Sequence, residues 1–204
     1  MLEDIYAPPK ADLTKYAASD TADAVPTFYV VSLRKFTVLY IVTLSMYQVF
    51  WLFKQWSNYR QQCRLEGAPD ATIWPLPRAL FAIFFMHSLF REIAAHAAAK
   101  MRTLEWNHGS HATWLVLMLV ATSVLDQFSN RDMGTPYTII LALLLVIATC
   151  FSYRKAQACV NISCGDPQGE SNSRFTWANY IWIAGGSIVW LLILTGLFIG
   201  DPQV

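Results

Sequence analysis

Side chains that could bind a metal ion or move a proton gather in one stretch of this chain. They are His87, Arg91, Glu92, His96, His108 and His111. Glu92 and His96 are four residues apart, so on a helix they would share one face, and carboxylate and imidazole groups both serve as metal ligands. The last two histidines could join them if the chain folds back.

The favoured interpretation of this stretch is a polar helix face at a membrane surface, with neither metal nor cofactor. The alternative is a metal site or proton relay, because ionisable groups within a membrane are functional candidates. Its ligands would come from the set His87, Glu92, His96, His108 and His111.

No other motif supports catalysis. The sequence contains no Gly-rich phosphate loop, no Ser–His–Asp set and no Cys–His pairing. The four cysteines (Cys63, Cys150, Cys159 and Cys164) are predicted to be reduced and structural, with a disulfide or metal role as the alternative. Asn161 begins a glycosylation sequon, which we discount because we place it inside the cell. These patterns favour a non-enzymatic protein.

Composition indicates a membrane protein. Hydrophobic residues make up 55% of the 204 residues and charged residues 14%, against about 25% charged residues in soluble domains. The net charge of +1 gives no basic surface for nucleic acid. The lipid bilayer is therefore the first partner that we expect.

Four apolar segments are predicted to span the bilayer in an all-α fold. They cover residues 36–53, 112–128, 137–153 and 175–200, and the last lies in a run of 26 residues without a charge. About 20 apolar residues are needed to cross the hydrocarbon layer as a helix.

The segment 77–104 is predicted to form an amphipathic or re-entrant helix between the first and second spans. Its apolar part is short and is followed by charged residues, so a fifth span is the alternative. Residues 1–27 contain no apolar signal-peptide core and are expected to form a disordered or extended arm. Residues 28–204 then form a single membrane domain.

Small and polar residues inside the spans are predicted to mediate helix packing. Gln48 is expected to be a membrane-buried amide that bonds to a neighbouring helix. The last span carries Gly185, Gly186 and Ser187, followed by Gly196 and Gly200. Small residues let helices approach closely. Packing within the chain is favoured, and self-association is the alternative.

Charge bias leaves the side of the N-terminus open. Lys and Arg favour cytoplasmic loops. Four spans with the N-terminus outside place ten of these residues in the cytoplasm and five outside, and five spans with the N-terminus inside give the same numbers. In both arrangements the loop 154–174 is cytoplasmic and the C-terminus periplasmic.

Several short motifs, spread over most of the chain, are similar to those of one protein family. They comprise the stretch from Ile5 to Leu13, the pattern Phe28-Tyr29-Val30-Val31-Ser32 with Lys35-Phe36, then Thr43, Tyr47 and Trp51, the stretch Pro75-Leu76-Pro77-Arg78-Ala79-Leu80-Phe81, and Asn172-Ser173-Arg174-Phe175 followed by Gly185-Gly186 and Trp190. The chain thus resembles a family of uncharacterised bacterial inner-membrane proteins, from which it departs by its second proline, Pro77. The resemblance implies a polytopic inner-membrane protein and no catalytic residue.

The expected function is that of a non-enzymatic accessory or interaction subunit, packed against other membrane proteins. One alternative is a small homo-oligomeric transporter or channel. The other is an immunity protein against a pore-forming toxin, which rests on analogy between small helical bundles alone.

Overall fold

The computed structural model describes residues 26–131 and 133–199, and within them it contains helices and no strand. The predicted arm 1–27 lies outside the described residues except for its last two positions. The helices are α1 Leu33–Val42, α2 Tyr47–Glu66, α3 Pro75–Leu80, α4 Ala82–Ala99, α5 His108–Ser129, α6 Tyr137–Cys164 and α7 Trp177–Ile199, with short 3₁₀ turns at Pro69–Thr72 and Glu170–Asn172.

Three of the described helices are long and apolar enough to cross a membrane, as expected for a membrane-embedded protein. They are α5, α6 and α7, which contain most of the predicted spans 112–128, 137–153 and 175–200. The prediction of four such helices is wrong, because the segment 36–53 does not form one continuous helix.

The segment 36–53 is a helical hairpin. Helix α1 ends at Val42, and the backbone reverses through Leu44 (φ 48°) and Ser45 (φ 69°) before α2 begins. The ring centroids of Phe36 and Trp51 are 6.1 Å apart, so the two ends of the predicted span lie side by side. The Thr43 hydroxyl supports the turn by accepting a hydrogen bond from the Tyr47 amide at 3.0 Å.

The predicted amphipathic helix 77–104 is divided into α3 and α4 at Phe81. Arg78 links these helices to α2, since its guanidinium lies over both the Trp56 ring of α2 and the Phe85 ring of α4, at 4.5 and 5.2 Å. Helix α4 packs against α5 and α6 rather than lying on the surface. Its buried side chains are Met86, Leu89, Phe90, Ile93 and Ala97.

Large aromatic side chains fill the core between α1, α2 and α6. Those with almost no exposure are Phe28, Phe36, Tyr40, Trp51, Trp56, Phe90 and Tyr153. Trp51 meets Tyr153 edge to face, with ring centroids 5.5 Å apart, a geometry that aromatic pairs prefer. This core lies toward the side of the molecule where α6 ends and α7 begins, which we call the loop side.

An extended segment, residues 28–32, crosses this core on the loop side without belonging to a sheet. Its backbone groups pair with four amide side chains, Gln55, Gln157, Asn161 and Asn172, which we call the amide clamp. Gln55 bonds to both the amide and the carbonyl of Tyr29, at 2.9 and 3.1 Å. Asn161 likewise bonds to both the amide and the carbonyl of Val31, at 3.4 and 3.0 Å.

The other two amides complete the clamp. Gln157 donates to the Tyr29 carbonyl at 3.3 Å and to Asn161 Oδ1 at 2.6 Å, and it accepts from the Trp51 indole. Asn172 donates to the Val30 carbonyl at 2.9 Å. The first three amides have 0% exposure, so the amide and carbonyl groups of Tyr29 and Val31 obtain the partners that burial demands.

Gly169 allows the loop after α6 to close over the extended segment. A Cβ there would lie 2.6 Å from the Ser32 amide nitrogen and the Val31 carbonyl, and its φ is +67°. We expect Gly169→Ala to destabilise the protein by about 1–3 kcal/mol more than Gly67→Ala, because overlap adds to backbone strain. Thermal unfolding in one detergent would measure the difference.

Gly67 is the matched control, because its φ is +66° and a Cβ there meets nothing within 4 Å. Replacing Gly67 by alanine should lower the free energy of unfolding by about 1 kcal/mol, because only the left-handed backbone conformation is penalised. Equal losses for the two variants would contradict the close approach at Gly169.

Candidate functional site

The amide clamp holds a buried lysine at the start of α1. Lys35 is 3% exposed. Its ammonium donates to Asn172 Oδ1 at 2.7 Å and to the Arg174 carbonyl at 2.8 Å. An ammonium has three donors, so one remains beyond these two bonds. Burial lowers the pKa of Lys35, because desolvation penalises the charged form.

A second lysine reaches the same place from α2. Lys54 is half-buried, and its ammonium lies over the Tyr29 ring, 5.7 Å from the centroid. The reversal between α1 and α2 brings Lys54, in the first half of α2, back toward the start of α1. Within the described residues, the one ion pair closer than 4.0 Å is Arg91–Glu92, so neither lysine has a carboxylate partner there.

Both lysines line a cavity of about 380 Å³ between the hairpin and the start of α7. A second cavity of about 450 Å³ continues from it along α7 to Gly185, Gly186 and Val189. Both are lined by Thr43, Met46 and Trp182. We call the two together the lysine groove. No Asp or Glu of the described chain lines it.

The lysine groove is suited to binding an anion. Paired cationic side chains stabilise a negative charge, and low local polarity strengthens the attraction. Tyr47 also lines the groove, and its hydroxyl is buried without a hydrogen-bond partner among the described residues.

The structure does not bring the predicted histidine and glutamate cluster together. No group of three His, Cys, Asp or Glu positioned for a metal ion occurs in the part of the chain described. His87 lies 3.0 Å from the Thr113 hydroxyl. His96 packs edge-on against Phe28, and burial lowers its pKa. His108 begins α5, with its ring 6.2 Å from that of Trp106.

Glu92 is held by its neighbours on the loop side. It accepts two hydrogen bonds from Arg91, at 3.2 and 3.0 Å. The Tyr59 hydroxyl donates to the other carboxylate oxygen of Glu92, Oε2, at 3.1 Å. Burial raises the pKa of Tyr59, and the negative charge of Glu92 raises it further.

His111 forms a pair with Ser152 that cannot activate the hydroxyl. The two atoms His111 Nε2 and Ser152 Oγ are 2.8 Å apart, which is the distance expected for a nucleophile and its base. The Trp106 indole donates to His111 Nδ1 at 2.7 Å. The neutral ring must then carry its proton on Nε2 and donate it to Ser152, so Nε2 has no free lone pair to take the serine proton.

The structure describes the surroundings of Gln48 and of the four cysteines. Gln48 is half-buried, and its Oε1 lies 3.3 Å from the Tyr40 hydroxyl, which joins α1 to α2. All four cysteines are free thiols, and three of them are buried.

The predicted packing glycines differ in their surroundings. A Cβ on Gly186 would overlap the Val42 carbonyl at the end of α1, whereas Gly185 and Gly196 have nothing within 4 Å of that position. The Trp190 indole donates to the Ile41 carbonyl at 2.9 Å, next to this contact. Ser187 is exposed, and Gly200 lies outside the described residues.

Sequence reasoning missed the amide clamp and the lysine pair. Gln157 and Asn161 are four residues apart, a spacing that places two amides on one helix face and could have indicated a buried polar site. We singled out Asn161 for a sequon, yet it is fully buried. Neither Lys35 nor Lys54 is among the site residues that the sequence predicts.

No known protein family, curated protein or solved structure matches this chain. The resemblance to uncharacterised bacterial inner-membrane proteins therefore stays a prediction.

Neighbouring glycines on α7 provide a test of how this helix is attached. We expect Gly186→Ala to destabilise the protein by about 1–3 kcal/mol, because the new methyl group pushes α7 away from α1. Gly185→Ala should be neutral or slightly stabilising, since its Cβ enters open space. Thermal unfolding in detergent would compare them, and equal stability of the two variants would argue against close packing at Gly186.

Proposed function

We propose that this protein is a non-enzymatic subunit of a bacterial inner-membrane complex, and that α7 presents the surface for its partner. The observation that carries the proposal is the exposed outer face of α7. The helix packs mainly on α1, and none of its most apolar window is buried.

The outer face of α7 has the composition of a helix–helix interface. At helical spacing, one stripe lies opposite Gly186 and contains Tyr180, Ala184, Ser187, Ile188, Leu191 and Thr195, all exposed. Small and hydroxyl-bearing residues allow close approach between membrane helices, and their hydroxyls can bond across the contact. Leu191 is 64% exposed, so the stripe is available to another helix.

Charge distribution supports a cytosolic loop side. The hairpin α1–α2 begins and ends on the loop side, and neither α3 nor α4 is among the candidate spans, so only α5, α6 and α7 cross. Among the described residues, Arg131 alone of the Lys and Arg lies at the opposite end. The other twelve are Arg34, Lys35, Lys54, Arg60, Arg64, Arg78, Arg91, Lys100, Arg102, Arg154, Lys155 and Arg174. A bias of this size fits the positive-inside rule, with the end of α7 in the periplasm.

Cysteine labelling would test this topology. In a variant whose native cysteines are replaced by alanine, we expect Arg34→Cys and Glu66→Cys both to be protected from a membrane-impermeant maleimide in cells with a permeabilised outer membrane. Met133→Cys, in the exposed turn between α5 and α6, should react. All three should react after the inner membrane is opened.

The two earlier arrangements give different labelling patterns. Four spans with the N-terminus outside require Arg34→Cys to be labelled and Glu66→Cys to be protected. Five spans require the reverse. Either pattern would overturn the three-span topology.

Photocross-linking would test the partner surface. With a benzophenone amino acid at Ser187 or Leu191, we expect a cross-link to a different membrane protein in the native membrane. The matched control is Leu144, which is 57% exposed on α6 but lies off the stripe and should give none. A cross-link to a second copy would favour a homo-oligomeric transporter or channel instead. Equal cross-linking from all three positions would refute a specific surface.

A further inference from the structure

We propose that the lysine groove binds one anionic phospholipid from the leaflet on the loop side, with its phosphate at Lys35 and Lys54 and an acyl chain along α7. This inference does not depend on the proposed partner, because it concerns the opposite side of α7 and can be tested on the purified chain.

The side chains that line the groove favour an anionic ligand. Lys35 is almost fully buried, yet it is held only by neutral acceptors, Asn172 and the Arg174 carbonyl. Lys54 lines the same cavity and faces the Tyr29 ring. Two cations that line one cavity repel each other, and an anion bound between them would offset that repulsion. A phosphate has several acceptor oxygens, so it can accept from both ammonium groups at once.

Neutral hydrogen-bonding groups surround the lysines. Asn172, Thr176 and Asn179 line this end of the groove. The Asn179 side chain accepts from both the amide and the hydroxyl of Thr176, at 3.0 and 3.1 Å, which leaves its amide hydrogens available as donors. Such donors suit a lipid headgroup better than a cation.

The rest of the groove is apolar and runs in the direction of an acyl chain. It continues past Met46 and Trp182 to Gly185 and Val189. Asn179 and Val189 line its two ends along α7, which are about 15 Å apart at 1.5 Å per residue. Half of the bilayer hydrocarbon is also about 15 Å thick. A chain anchored by its phosphate at the lysines would therefore end near the bilayer midplane.

This length is the reason to choose a lipid over a free anion. An inorganic phosphate would fill the polar end and leave the part lined by Gly185 and Val189 empty. The open space beside Gly185, where a Cβ would meet nothing within 4 Å, is where the acyl chain would lie.

Native mass spectrometry of the full chain in detergent would test the proposal. We expect one phosphatidylglycerol adduct at lipid concentrations where phosphatidylcholine with the same acyl chains gives none. Lys54→Gln should raise the dissociation constant of the lipid about tenfold, which corresponds to about 1.4 kcal/mol of binding free energy. Gly185→Phe should abolish it by filling the apolar part. Lys54 is preferred to Lys35 because it is half-exposed and lies outside the amide clamp.

Two control variants separate the groove from the general surface. Lys100→Gln removes an exposed lysine on the loop side, and Gly196→Phe fills another open position on α7 that faces a different cavity. Both should bind phosphatidylglycerol as the unmodified chain does. Unfolding temperatures of all four variants would show that each is folded.

Several results would overturn the proposal. Equal binding of the two lipids, or an unchanged adduct in Lys54→Gln, would contradict a headgroup site at the lysines. Competition by glycerol phosphate at the concentration of the lipid would show that the groove binds the anion alone. An adduct that appears only after removal of residues 1–25, which carry five acidic residues, would show that this acidic arm occupies the groove.

Discussion

The amide clamp around residues 28–32 is the interaction on which the rest of the structure depends. An extended chain inside a helical bundle has no neighbouring strand, so its backbone groups would be buried without partners at a cost of about 1–3 kcal/mol each. Gln55, Gln157 and Asn161 act as that missing strand, since a side-chain amide offers the same donor and acceptor as a peptide group. The clamp thereby joins α2, α6 and the loop before α7. It also fixes where α1 begins, and thus where Lys35 lies.

The hairpin follows from the position that the clamp gives to α1. Helix α1 starts at the loop side and reaches Thr149, in the apolar half of α6, where the Tyr40 hydroxyl lies 3.0 Å from the threonine hydroxyl. The tip of the hairpin then lines a cavity with Val146 and Ile193. Because the tip is surrounded by α5, α6 and α7, its irregular backbone faces protein and a cavity rather than lipid alone, which is the condition under which such backbone is tolerated at membrane depth.

Much of the helical framework could be predicted from apolar length, but the reversals could not. The segments that became α5, α6 and α7 were recognised because nothing but a long apolar helix fits their composition. The run 36–53 has the same composition, and its turn at 43–46 contains neither Gly nor Pro, the residues that usually mark a reversal. Leu44 and Ser45 nevertheless adopt left-handed backbone and are packed among α5, α6 and α7. No local pattern shows that packing.

The site was missed for a related reason. Sequence reasoning gave weight to His and Glu, which are chemically versatile, whereas the structure pairs several of them with separate protein groups, such as Ser152 for His111 and Arg91 for Glu92. The lysines of the groove are 19 residues apart. In a straight helix that separation is about 28 Å, which would place them on opposite faces of the membrane as two unrelated anchors. Only the reversal at Leu44 and Ser45 brings them into one cavity, so the proposed topology and the proposed anion site both depend on the same turn.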